Sequence, residues 1–229
     1  MIWILFIGTM AVSLWAAARV KSVYNKHNQG VVRSGISGGQ VAAEILRHAD
    51  IRDVEITHEE GMLGDHYDPI HKKLVLSREN YFGRTPAALG VAAHECGHAI
   101  QHARGYKPLN WRMAAVGVTT YANNVVMFLP LVGMFTGLIA PWTGALLMAV
   151  AWGVIMLFNL ITLPVEFDAS RRAKLVLAEF GYIAPGEEAA GVKKVLDAAA
   201  WTYVAAFVTS LAYLIWHLLP LLSGSRRQE

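Results

Sequence analysis

Apolar and polar positions are segregated along this chain in long blocks, on a scale too coarse for a soluble domain. Residues 1–18, MIWILFIGTMAVSLWAAA, carry no charge. As a helix they would reach about 27 Å, close to the thickness of a bilayer's hydrocarbon core. Nothing basic precedes them, and Arg19, Lys21 and Lys26 follow, the reverse of a secretory signal peptide. The segment is therefore expected to stay as a transmembrane anchor with its N-terminus outside. Residues 113–139 and 142–164 are again uncharged and are separated by Pro141, which predicts a transmembrane hairpin over 113–164. A last apolar stretch, 198–222, precedes a polar tail, 223–229. The pattern predicts a mainly α membrane protein with about four transmembrane helices.

The polar blocks, 19–112 and 165–197, have finer periodicities. Ser37 is placed to cap a short amphipathic helix through Val41, Ala42, Ile45 and Leu46. Val54 and Ile56 alternate with Asp53, Glu55 and Thr57 as in a half-exposed strand, which Gly61 and Gly64 break. The run 65–77, DHYDPIHKKLVLS, reads as two short strands about a turn at Pro69, with Leu74 and Leu76 on one face. Together these predict a small antiparallel sheet. A helix over 86–103 follows from Thr85 as N-cap, Pro86 at the first position, an Ala-rich interior weakened only by Gly90 and Gly97, and Gly105 beyond the end. In 165–197, one helix is expected to end near Gly181 and a second to begin at Glu187, after Pro185 and Gly186.

Composition supports the membrane reading: 55% of the 229 residues are hydrophobic, 16% are charged, and mean hydropathy is +0.37. The net charge of +3 is too small to point to nucleic acid, and the single Cys96 excludes an internal disulfide. Of 20 lysines and arginines, 13 lie in 19–112 and 5 in 165–197. By the positive-inside rule both blocks belong to the cytoplasmic side. Arg226 and Arg227, which then fall outside, run against that distribution.

The chemistry is concentrated in 91–102, VAAHECGHAIQH. Residues four apart on a helix share a face, so His94 and His98 converge on one point, as two ligands of a zinc ion would. Glu95 is offset to serve as a base toward water. A catalytic zinc needs a third protein ligand. The position six residues after His98 is Arg104, which excludes the three-histidine pattern. His102 shares the motif face, but three ligands in line on one straight helix cannot surround an ion. Downstream, Glu166 is a better candidate than Asp168. It stands two residues after Pro164 at the mouth of the third span, where an unpaired carboxylate is costly, about 2.5–3.5 kcal/mol deep in a bilayer. Cys96 points away from His94 and reads as a small buried hydrophobe. Asn123, Asn124 and Asn159 read as contacts between membrane helices.

HECGHAIQH, the upstream GDHYDP with KLVLS, and the downstream LPVEFDASRRA followed by DAAAWTYVA together resemble the YugP-type neutral zinc metallopeptidases of bacterial membranes. More distantly, they are similar to the HtpX and CAAX prenyl protease group. The resemblance covers nearly the whole chain. It implies a gluzincin-like zinc-peptidase domain in which His94, His98 and Glu166 bind Zn2+ and Glu95 acts on the water. The HtpX-like pattern carries an Asp four residues after the ligand Glu, where this chain has Ser170. The acid that would orient a ligand histidine is thus Asp168 or another group.

The expected activity is a membrane-embedded zinc-dependent endopeptidase, hydrolysing membrane or membrane-proximal polypeptides by Glu-assisted attack of zinc-bound water. His66, Tyr67, Arg171, Arg172 and Tyr203 are open candidates for the donor that the oxyanion requires. The resemblance favours Tyr203 and one of the two arginines, of which Arg171 is carried forward. An intramembrane protease of the site-2 type is disfavoured, because Arg84 and Arg104 flank the motif helix. A non-catalytic, zinc-stabilised membrane scaffold or partner-binding protein is the alternative, and Glu95 argues against it. The expected setting is a multi-pass protein of the cell membrane with its active site on the cytoplasmic side.

Overall fold

A computed structural model of the chain describes residues 2–60 and 64–224; Gly61, Arg226 and Arg227 lie outside them. The elements in chain order are α1 (Ile2–His27), α2 (Gly38–His48), β1 (Glu55–Glu59), β2 (His66–Asp68) and β3 (Lys73–Ser77). They are followed by α3 (Arg78–Phe82), α4 (Pro86–Ala103), α5 (Lys107–Thr136), α6 (Pro141–Glu179) and α7 (Glu187–Gly224). Four helices, α1, α5, α6 and α7, are long and apolar enough to cross a membrane, and the protein is a mainly helical membrane protein. Its residues fall into two compact units, a mixed unit of Trp15–Leu109 with Pro164–Thr202 and an all-helical unit of Met1–Leu14, Asn110–Leu163 and Tyr203–Glu229.

Local sequence explains where the elements of the mixed unit begin. The Ser37 hydroxyl accepts from the Gln40 N–H and the Gln40 side chain returns to the Ser37 N–H, a reciprocal capping box that starts α2. Thr85 Oγ1 accepts from the Ala88 N–H at 3.1 Å with Pro86 behind it, which starts α4. Gly105, at φ +61°, lets the chain turn sharply after that helix.

The three strands form a mixed sheet in the order β1-β3-β2, which corrects the expectation of an antiparallel one. β2 and β3 are the antiparallel hairpin about Pro69, with His66 opposite Val75 and Asp68 opposite Lys73. β1 pairs with β3 in parallel, Ile56 beside Leu74 and His58 beside Leu76. The reason is topological: two reversals, β1 to β2 and β2 to β3, return the chain to its starting direction. β3 takes the middle place because Leu74, Val75 and Leu76 are its apolar residues, and all three are buried.

One core binds these pieces. Val41, Ala42, Ile45 and Leu46 of α2 and Leu74 and Leu76 of β3 pack with Leu89, Ala92, Ala93, Cys96 and Ala99 of α4. Ala173 and Leu177 of α6 and Val192 and Leu196 of α7 complete it. α4 is a central helix, and its alanines and glycines let neighbours approach closely. A Cβ on Gly90 would touch Val192 at 3.4 Å, and one on Gly97 would meet the Ala169 carbonyl oxygen at 2.8 Å.

In the all-helical unit the large apolar side chains face outward, as lipid-facing helices require: Trp3 is 72% exposed and Phe135 80%. Asn159 of α6 donates to Ser210 Oγ at 3.0 Å and to the Ala206 carbonyl on α7, an interhelical contact. Asn123 and Asn124 differ from the expectation, since both are exposed on α5.

Candidate metal centre

α4 projects His94 and His98 from one face with ring centroids 4.8 Å apart. Glu166 comes from α6, 72 residues beyond His94. Its Oε2 lies 3.2 Å from His94 Nε2 and 3.5 Å from His98 Nε2. The three ligand atoms lie within 4.8 Å of one another, and the Glu166 side chain is only 3% exposed.

Gly97 makes this convergence sterically allowed. Its α carbon faces Ala169, three residues past Glu166, and an added Cβ would lie 3.0 Å from the Ala169 Cα as well as 2.8 Å from its oxygen. Contacts that short do not occur between real atoms without a shift of backbone. A glycine between Glu95 and His98 therefore lets α6 lie directly against the motif helix.

Polar groups surround the ligands. The outer nitrogen of His94, Nδ1, lies 3.1 Å from Ser170 Oγ. The outer nitrogen of His98 lies 3.0 Å from Gln101 Oε1, and Gln101 Nε2 donates to the Val165 carbonyl at 2.8 Å and to Asp168 Oδ2 at 3.0 Å. Asp168 is held in turn by Arg171 and Arg172, each at 2.5 Å. Burial disfavours a charged His98, but the Glu166 and Glu95 carboxylates outweigh it and hold its pKa above the usual histidine value. Glu95 is itself buried, 8% exposed, beside the ligand pair.

The donor set fits a zinc ion. Two imidazoles and one carboxylate are the ligands of a common catalytic zinc class that leaves one position open. Both imidazoles have their outer nitrogens engaged, so each presents Nε2 to the Glu166 oxygen. A nitrogen lone pair facing a buried carboxylate oxygen is repulsive unless a proton or a metal cation sits between them.

A family model described as "Putative neutral zinc metallopeptidase" matches residues 2–222 of the chain. The chain belongs to this zinc metallopeptidase family. Among curated proteins, it is 41% identical over 221 residues to the "Putative membrane protease YugP" of Bacillus subtilis (strain 168), covering 96% of each chain. No solved structure matches it.

The remaining candidates of this metallopeptidase fall in different places. Arg171 is 63% exposed and paired with Asp168, and Arg172 shares the same carboxylate. Tyr203 belongs to the all-helical unit, on α7 and half-buried. Tyr67 places its hydroxyl 2.9 Å from His102 Nδ1. Burial, with Asp53 and Asp68 nearby, pushes its pKa up to about 12, so it stays protonated at any physiological pH. His102 thus has a partner on β2 and stands outside the three-ligand group. His66 is exposed against the Gly64 carbonyl. Cys96 is fully buried with its thiol toward the Ala42 carbonyl, and burial pushes its pKa up, as an inert packing residue requires.

Gln101 and Gly97 escape the sequence reading as site residues. Both stand within the motif helix, Gln101 as an ordinary polar residue and Gly97 as a weak point in a helix. Their roles depend on α6, which lies far along the chain.

Proposed function

We propose that this membrane metallopeptidase is a zinc-dependent endopeptidase acting on membrane or membrane-proximal polypeptides from the cytoplasmic side. The observation that carries the reading is the buried convergence of His94, His98 and Glu166 beside Glu95. Membership in a zinc metallopeptidase family and likeness to a protein named as a membrane protease support it. The cytoplasmic placement rests on the lysine and arginine distribution.

His94, His98 and Glu166 would hold the metal, which when bound would supply Lewis acidity and lower the pKa of a bound water. Glu95 is the general base: it takes a proton from the attacking water and later passes it to the leaving amine. The oxyanion that forms needs a donor of its own, and Arg171, on α6 in the same unit as the metal ligands, is the candidate for it. The polypeptide lies along β2, which stands at the edge of the sheet and packs beside α4. An edge strand offers backbone groups for an added strand irrespective of side-chain identity.

Glu95→Gln in the full-length protein tests the base. Zinc stoichiometry is expected to be unchanged while peptide cleavage falls by at least about 100-fold. Undiminished cleavage would overturn the mechanism, and a chain that retains zinc but never cleaves peptide in the parent form would favour the scaffold alternative.

A further inference from the structure

We propose that Gln101 is a positioning residue that locks His98 in its zinc-binding tautomer and ties the two halves of the split metal site together. The proposal rests on the zinc reading of His94, His98 and Glu166.

The argument begins with which way the Gln101 amide must point. One end of it faces two groups, the Val165 carbonyl at 2.8 Å and Asp168 Oδ2 at 3.0 Å. A carbonyl can only accept, and Asp168 is held as a carboxylate by two arginines, so it too can only accept. The amide therefore turns its NH2 toward both, and its oxygen is left facing His98 Nδ1 at 3.0 Å. That oxygen can only accept, so His98 Nδ1 must carry the proton. The lone pair of the ring is then on Nε2, the nitrogen aimed at Glu166. Each step has a single allowed donor direction, from the arginines through Asp168 and Gln101 to the imidazole.

His94 has no such constraint. Its Nδ1 faces the Ser170 hydroxyl at 3.1 Å, and a hydroxyl donates or accepts according to how it rotates. Ser170 tolerates either His94 tautomer, whereas Gln101 tolerates one for His98. The environment of His98 thus carries more of the preorganisation.

The second half of the proposal is mechanical. Gln101 lies on α4, and its acceptors, Val165 and Asp168, lie on α6. Val165 immediately precedes Glu166, so one side chain contacts a ligand imidazole and the backbone next to another ligand. Gln101 is fully buried, 0% exposed. Its amide bridges the two helices one helical turn beyond Gly97, whose missing Cβ lets Ala169 of α6 lie against α4.

The test uses the full-length protein with zinc or cobalt as the probe. Gln101→Met keeps the length of the side chain and removes the amide. Zinc affinity by chelator competition is expected to fall roughly 10- to 100-fold, and the visible spectrum of the cobalt-loaded protein is expected to change in shape. Gln101→Glu combined with Asp168→Asn reverses the polarity of the pair and keeps an acceptor for His98 Nδ1, while giving up the donor to the Val165 carbonyl. It is expected to recover at least about half of the logarithmic loss in zinc affinity. Zinc affinity and cobalt spectrum unchanged in Gln101→Met would overturn the role of Gln101 while leaving the zinc site standing. A parent protein that binds no zinc would take down both. If Gln101→Met does not fold, the double variant decides: binding no tighter than that of Gln101→Glu alone overturns the proposal.

Discussion

Around α4, Leu89, Ala92, Cys96 and Ala99 are almost completely sealed, and Gln101 and Glu95 are buried among them. On the all-helical unit, Phe135, Trp142 and Val150 stand 80%, 60% and 58% exposed. The same residue chemistry has two meanings because the two regions answer to different solvents. In the mixed unit, burial removes apolar area from water, and polar groups are admitted only with partners. In the spanning helices, lipid is as apolar as leucine, so an outward aromatic costs nothing and backbone groups must be satisfied within each helix. Tolerance should differ accordingly: a single methyl matters beside α6, and a larger change passes on a lipid-facing surface.

The largest break in that contrast comes from Glu166→Ala. It removes the only carboxylate of the three-ligand group and leaves two imidazoles facing a cavity. Zinc content is expected to fall from one per chain to near zero and peptide cleavage with it, while the far-ultraviolet circular dichroism spectrum stays helical. Metal analysis after gel filtration and a cleavage assay read this out.

A smaller effect, with an informative sign, is expected from Gly97→Ala. Helix propensity alone would stabilise α4 by about 1 kcal/mol. The new Cβ would instead lie 2.8 Å from a backbone oxygen of α6, and such overpacking costs about 1–3 kcal/mol. A lowered thermal midpoint together with weaker zinc binding is the expected result. A raised midpoint with zinc affinity intact would show that α6 does not approach α4 as closely as described.

The smallest effect is expected on the other side of the comparison. Val150→Leu adds a methylene on α6 at a position 58% exposed in the all-helical unit, where lipid can accommodate it. A thermal shift equivalent to less than about 0.5 kcal/mol and unchanged cleavage are expected. A loss as large as that of Gly97→Ala would place Val150 in a packed contact and remove the distinction between the two regions.

Much of this was legible along the chain. Four apolar segments, the caps at Ser37 and Thr85, the β2–β3 hairpin about Pro69 and the pair His94 and His98 are local features. Their signals lie within a few residues, or within one helical turn. The strand arrangement was less legible, because a parallel β1–β3 pairing depends on how many times the intervening chain reverses.

What the sequence by itself determined is the chemistry on offer: which residues can bind a metal, which can act as a base, and that four helices are apolar enough for a bilayer. The fold alone decided which of these groups meet. Glu166 joins His94 and His98 because Gly97 has no Cβ to hold α6 away, and Asp168 reaches His98 only through Gln101. Hydrogen bonds and steric contacts act over a few ångströms of space, so residues 64 or more apart in sequence leave no periodicity or spacing by which their meeting could be read.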